Sequence, residues 1–350
     1  MQSPRKLFSG LLSPFAAAVP LSLALSGEAS AHVKWFCAYD VSGQPRGLEN
    51  VLCLNFEWLV ALALACLMFG CLAEGTPLGT ALLNALDRVT SRIRTDTELL
   101  VRATVGFFFV SLWGLGGVIL TPELKTDAAW IPWLQLALAG CLIWRRTMPI
   151  TGLGIVFLFS YATAQYGLFH LADYPVFLGV ATYLILRGLD VSPYGIRPLD
   201  IVRWTAAVTL MWASVEKWAY PQWTDPLIAA KPSMTMGASP ELFMQAAGVI
   251  EFTLAFALIW TPLVRRTSAL ILAGVFISAI FEFGKIDAIG HSGIIVVLLG
   301  IAADDVRAKV RVRDTVLAPA WYAASLAGFL LLYYLGHAAM YGGFSELPVI

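Results

Sequence analysis

The chain predicts an all-α fold, a polytopic helical membrane bundle of about ten transmembrane helices arranged as two parallel four-helix repeats. Three observations carry that expectation. The 350 residues are 59% hydrophobic and 13% charged, more apolar surface than a soluble domain of this length hides. Apolar runs of membrane-spanning length recur from residue 54 to the C-terminal region. Basic residues gather at alternate turns between those runs.

In chain order, residues 1–31 read as a secretory signal: Arg5 and Lys6, an apolar stretch from Leu7 to Leu25 broken by Pro14 and Pro20, and a small-residue cleavage site at Ala29-Ser30-Ala31. Cleavage there makes His32 the first residue. Residues 32–98 hold an extracytoplasmic segment, the first span and an inner connector. Spans are expected at 54–73, 99–120, 130–144, 149–170, 174–188, 201–219, 243–263, 268–285, 290–303 and 318–341. Within 74–98, Leu82, Leu83, Leu86, Val89 and Ile93 fall at helical spacing among Arg88, Arg92 and Arg94, the pattern of an interfacial helix or a solvated connector. Residues 99–188 form a first four-helix unit, 189–304 a second, and 305–350 a last helix and tail.

An exported N-terminus sets the orientation. The inside turns then carry Arg88, Arg92 and Arg94; Arg145 and Arg146; Arg187, Arg197 and Arg203; Arg265 and Arg266; and Arg307, Lys309, Arg311 and Arg313. The outside turns hold few basic residues, as the positive-inside rule requires. Both mature termini lie outside, in a bacterial-type inner membrane. All four histidines, His32, His170, His291 and His337, fall at the outer end, and Trp130, Trp133, Trp218 and Trp223 suit an outer aromatic belt.

The two units align with small gaps. Val101-Arg102 matches Val202-Arg203, the Trp144 and Trp260 turns both run into Arg-Arg-Thr, and Gln165-Tyr166-Gly167 matches Glu282-Phe283-Gly284. Gln135 and Glu251 each precede that tryptophan by nine residues. The first unit thus carries amides where the second carries carboxylates, and an amide neither holds a charge nor exchanges a proton near neutral pH. The second unit is expected to be the active copy, with neutral drift as the alternative.

The second unit resembles the DoxX family of small four-helix membrane proteins. Arg203, the Glu216-Lys217-Trp218-Ala219-Tyr220-Pro221 segment, Glu251, the Arg265-Arg266 turn and His291 carry the resemblance, over 201–304 with a weaker copy over 99–188. It implies a link to membrane redox systems, including quinone-linked ones, and it implies fold more firmly than function. The second repeat unit, the added N- and C-terminal spans and the His32 segment depart from the simple family pattern.

The candidate site gathers Glu216, Glu251, Glu282 and His291 at similar depth near the outer face. Bundles build metal sites from inward Glu and His, and the same groups suit proton exchange with a quinone. Glu251, Glu282, His291 and Glu216 are the expected catalytic groups, and Lys217 and Trp218 the cofactor-binding ones; a Glu216–Lys217 ion pair holding the bundle together is the plainer expectation for that pair. His32 offers an amine and an imidazole to one metal, a chelate suited to copper(II) or another transition metal. The expected metal set is His32, Glu251, Glu282 and His291, with His170 and His337 as further ligands or as hydrogen-bonded interfacial histidines. Cys37 and Cys53 are expected to form a disulfide, and Trp35, Phe36 and Tyr39 to rest on the outer interface.

No nucleophile elbow, phosphate loop, dinucleotide fingerprint or haem-attachment motif is present, and zero net charge does not suggest nucleic acid. Three readings stay open. The first is a redox-associated membrane protein with a metal or quinone site, working with other membrane or periplasmic redox subunits. The second is a transporter for a metal ion or small solute. The third is a scaffold without chemistry of its own. The lipid bilayer is a partner in each.

Overall fold

The computed structural model describes residues 33–307 and 312–342. The signal segment, its cleavage site and His32 lie outside the described residues. Eleven longer helices dominate: α1 (Leu54–Glu74), α2 (Pro77–Val89), α3 (Ser91–Leu115), α4 (Trp130–Cys141), α5 (Met148–Tyr166), α6 (Pro175–Leu189), α7 (Pro198–Ala219), α8 (Pro240–Ala257), α9 (Pro262–Phe283), α10 (Lys285–Ala303) and α11 (Val312–Met340). A short antiparallel hairpin, β1 (Val118–Ile119) and β2 (Thr121–Lys125), interrupts them. Among the described residues, six helical segments are long and apolar enough to cross a membrane: α1, α3, α9, α10, α11 and α5 extended back to Arg145. That is the composition of a helical membrane bundle.

Each expected span overlaps a helix among the described residues, but several bounds differ, those of the second most of all. The chain was expected to stay helical over 99–120. It starts at Ser91 instead and stops at Leu115, because Gly116 and Gly117 both take positive φ and turn the chain into the hairpin. Proline opens α2, α6, α7, α8 and α9, where a missing N–H costs nothing. The α2 helix is capped by Thr76, whose hydroxyl accepts from the Gly79 N–H at 3.3 Å. It buries Leu83 and leaves Leu78, Leu82 and Val89 exposed.

The packing of α3–α6 mirrors that of α7–α10. In each set the first helix packs on the second and the third on the fourth. Between the sets, α6 packs on α7 and α10 returns to α3, while α7 also touches α10. Helices α3, α6, α7 and α10 therefore form the centre. The third helix of each set ends on a positive-φ glycine, Gly167 or Gly284, whose N–H bonds back to the carbonyl of residue 163 or 280 at 2.8 Å. Helix α1 packs outside α8, α9 and α11, and α11 also touches α7.

The end carrying the alternate basic turns is a lattice of arginine and carboxylate. Arg197 bridges Asp200 and Asp304, Arg187 and Arg145 share Glu98, and Arg307 meets Asp87. Arg266 is almost wholly buried. It donates to the Ala302 carbonyl at 2.7 Å, Asp87 at 2.6 Å and Thr90 at 3.2 Å.

Candidate functional site

The opposite end is closed by residues 33–51, which do not rest on the interface as expected but enter the bundle. The Lys34 side chain is about 1% exposed and meets Asp173 at 3.1 Å and Glu216 at 2.7 Å. Trp35 donates to the Thr121 hydroxyl at 3.1 Å and lies so close to Gly290 that a Cβ there would come within 2.0 Å of the indole. Phe36 packs on Phe283, and Tyr39 on His170 and Trp223. Farther along, the Tyr220 hydroxyl donates to the Gly43 carbonyl at 2.7 Å, Arg46 N–H to the Ala219 carbonyl at 2.8 Å, and the Tyr334 hydroxyl to the Arg46 carbonyl at 2.5 Å.

Lys34 stays charged in that setting. Burial alone would lower its pKa, but Asp173, Glu216 and Glu123 overcome the penalty and hold it well above the ordinary lysine value. The Tyr39 and Trp223 rings, each 5.7 Å from the ammonium, add cation–π attraction. Burial, and then Glu123, push the Tyr39 phenol upward. Beside this cage, His170 Nε2 meets Glu123 Oε1 at 2.9 Å, both side chains buried. Glu123 is placed there by the hairpin, which Gln135 clamps: its amide donates to the Val118 carbonyl at 3.0 Å and accepts from the Leu120 N–H at 3.2 Å.

Below the cage, at the junction of the two units, lies a cavity of about 100 Å³. Its walls are largely apolar, with Val105, Phe108, Phe109, Phe177, Leu210 and Phe276 among them. Its polar groups include Lys217, Glu251, His291, Asp173, Tyr174, Thr121 and Thr209. Lys217 pairs with Glu251 at 2.9 Å, both side chains about 15% exposed. His291 Nδ1 meets Asp287 at 2.9 Å, and the imidazole lies between Phe276 (centroids 4.6 Å apart) and Trp35 (4.7 Å). The second Asp287 oxygen is buried without a hydrogen-bond partner among the described residues.

Of the expected residues, Glu251 and His291 thus share one cavity, and Lys217 lines it. Four expectations need correction. Glu216 does not pair with Lys217 but with Lys34, because neighbours on a helix point about 100° apart and face different partners. Glu282 lies outside the cavity, held by Lys231 at a half-exposed surface. Trp218 does not line the cavity; its indole N–H donates to the Gln245 carbonyl at 3.3 Å and its rings pack on Phe56 and Phe252. Cys37 and Cys53 are both free thiols. Cys53 caps the start of α1, where the Phe56 N–H lowers its pKa against a smaller burial penalty, and its sulfur accepts from Gln245 at 3.2 Å. Cys37 sits apart near Leu227, and burial raises its thiol pKa.

Of the four expected metal ligands, His32 lies outside the described residues. Among the described residues, no three His, Cys, Asp or Glu side chains are grouped to hold an ion. The separation of Glu282 from Glu251 and His291 is the reason. His337 is buried near Phe169, Tyr220 and Tyr341 and meets no carboxylate cluster.

No protein-family model, curated protein or solved structure matches this chain. The likeness to DoxX proteins rests on the residues that suggested it.

The groups missed in the sequence are Lys34, Glu123, Asp173, Tyr174 and Asp287. For Asp287 a signal existed, since it precedes His291 by four residues on one helix face. For Lys34 the signal was weaker: a lone lysine at the head of an aromatic pair, Lys34-Trp35-Phe36.

Proposed function

We propose that this chain is a multi-pass membrane protein whose cavity between two duplicated units binds an aromatic amphiphile of the quinone class, in the manner of a DoxX-like redox accessory protein. The observation that carries the reading is the cavity itself. Its walls are mostly aliphatic and aromatic, and its polar groups include a Lys217–Glu251 pair and His291, which Asp287 holds from behind. Ligand sites of this kind are mostly apolar with a few converging polar groups.

A bound quinone would supply two-electron, two-proton chemistry. The chain supplies binding and proton handling. Lys217 can donate a hydrogen bond to a ring oxygen while Glu251 balances its charge. Asp287 accepts from His291 Nδ1 and so fixes the tautomer in which Nε2 is an acceptor. Phe276 and Trp35 limit the tilt of the imidazole. Gln135, the counterpart of Glu251, braces the hairpin instead, which supports the division of labour between the units.

All ten spans are proposed to cross, with residues 33–51 and the cavity's polar groups on the extracytoplasmic side. The basic turns and the arginine lattice at the other end support that orientation. Transport would need a polar route from the cavity to the inner face, and no residue of the arginine lattice lines the cavity. Reporter fusions at Arg92 and Pro240 should read inside and outside; the reverse pattern would overturn the orientation.

The binding test uses purified protein in nanodiscs and a short-chain benzoquinone, followed by quenching of tryptophan fluorescence, since Trp35 lines the cavity. Saturable quenching is expected, weakened about tenfold, or 1.4 kcal/mol, in Glu251→Gln and in His291→Asn. Quenching that never saturates in folded wild-type protein rejects the ligand class and leaves the scaffold reading.

A further inference from the structure

We propose that Tyr174, Glu123 and His170 form a second acid–base arm that opens on the same cavity from the first unit, so that the ligand carries two exchangeable oxygen functions, one for each arm. This rests on the quinone-class reading and narrows it. Tyr174 lines the cavity and is hydrogen-bonded to Glu123, and Glu123 Oε1 meets His170 Nε2 at 2.9 Å. All three side chains are buried. The arm therefore runs from the cavity through a phenol to a carboxylate–imidazole pair. The His291–Asp287 dyad is the corresponding pair on α10 of the second unit. Each unit thus connects one histidine–carboxylate pair to one shared cavity, the first through Tyr174 and the second through His291 itself.

The surroundings suit proton exchange. Lys34 and Tyr39 face the arm from the N-terminal segment, Tyr166 from α5, Asp173 from the turn before α6, and Glu216 from α7. Lys34 offsets one of the two negative charges of Asp173 and Glu216, and the negative charge left over favours a proton arriving on the cluster at Glu123. The exchange moves one proton and no electrons. A ligand O–H gives its proton to the Tyr174 oxygen while Tyr174 passes its own to the Glu123 carboxylate. The ligand becomes an oxyanion, Tyr174 is unchanged, and Glu123 becomes a carboxylic acid hydrogen-bonded to His170.

An anchor for the hairpin would look similar at rest but would not answer to the ligand or distinguish one hydroxyl from two. The full chain, labelled with ¹⁵N-histidine in nanodiscs, is titrated with a short-chain 1,4-benzohydroquinone and with its monomethyl ether. His170→Gln and His291→Asn assign the two imidazole signals. The hydroquinone is expected to move both signals. The ether, lacking one exchangeable proton, should bind about fivefold more weakly, the net worth of one hydrogen bond. Tyr174→Phe should silence the His170 response, leave that of His291, and reduce hydroquinone affinity to that of the ether. Hydroquinone binding that moves His291 alone, or a His170 response that survives Tyr174→Phe, overturns the second arm while the cavity reading stands. No binding by folded wild-type protein overturns both.

Discussion

Replacing Lys34 by methionine keeps the length of the side chain and removes its charge. Asp173 and Glu216 would then face each other's negative charge with side-chain exposures of 1% and 7%. Breaking a buried ion pair from one side costs about 3–5 kcal/mol, because the abandoned charge has neither water nor partner. The other ties of residues 33–51 include hydrogen bonds to Thr121, Ala219, Tyr220 and Tyr334, each worth about 1 kcal/mol net, a half-exposed Arg46–Glu241 ion pair, and the ring packing of Trp35, Phe36 and Tyr39. The loss is comparable to those four hydrogen bonds together, so the segment should loosen before the bundle opens. Hydrogen exchange of amides 35–51, corrected for intrinsic rates, should lose protection by about a hundredfold to a thousandfold, at 1.4 kcal/mol per decade. Adding Glu216→Gln and Asp173→Asn should restore part of it. The pH dependence has a definite sign. Lys34 has a folded pKa above its unfolded one, so its contribution is complete below the ordinary lysine pKa and is lost only as pH rises through the higher folded value. The segment should stay equally protected across neutral pH and loosen in strong alkali. Unchanged protection in Lys34→Met, or release of the wild-type segment near pH 7, would refute the reasoning.

Gly290→Ala should displace the Trp35 indole, which a Cβ would meet at 2.0 Å, and cost about 1–3 kcal/mol; a shifted tryptophan emission checks it, and an unchanged spectrum and melting temperature would contradict it. Cys37 and Cys53 should both react with a maleimide without reduction, Cys53 faster because its thiol pKa is lowered and that of Cys37 raised; labelling that requires reductant would reinstate the disulfide. Arg266→Lys cannot reproduce three directed bonds to Ala302, Asp87 and Thr90, and should destabilise by about 2 kcal/mol; thermal unfolding that matches wild type would show that the charge alone suffices.

The helices were legible because lipid leaves little choice: apolar length, prolines at starts and glycines at stops mark them locally. The hairpin after α3 was hidden because Val118, Ile119 and Leu120 continue the apolar run and only Gly116-Gly117 signals the stop. Site membership was legible where it follows from one helix or from the repeat. Glu251 and His291 were found that way. Glu282 was not, because the Glu282-Phe283-Gly284 match concerns how α9 ends, and a residue beside a terminal glycine is placed by the turn and not by the bundle interior. The Lys34 cage joins residues 139 and 182 positions apart, and no local pattern encodes such pairings. Adjacency even misleads: Glu216 and Lys217 look like one ion pair and belong to two.

The arrangement of the four central helices explains why one cavity serves both units. Helices α3, α6, α7 and α10 are the first and last of each set, so a ring built from them brings opposite ends of the two sequences together. A symmetric pair of units would give that ring matching polar groups on both sides. The chain breaks the match at two places. Gln135 gives its hydrogen bonds to the hairpin, whereas Glu251 gives its charge to Lys217 inside the cavity. In return, the hairpin that Gln135 braces delivers Glu123 to His170, a contribution the second unit matches with Asp287 and His291 on a single helix. Under the proposed two-arm site the first unit is not the silent partner its amides suggest. It holds its carboxylate, Glu123, on the hairpin and not on the helix. The Lys34 segment then lies across both units, since its ammonium joins Asp173 of the first to Glu216 of the second.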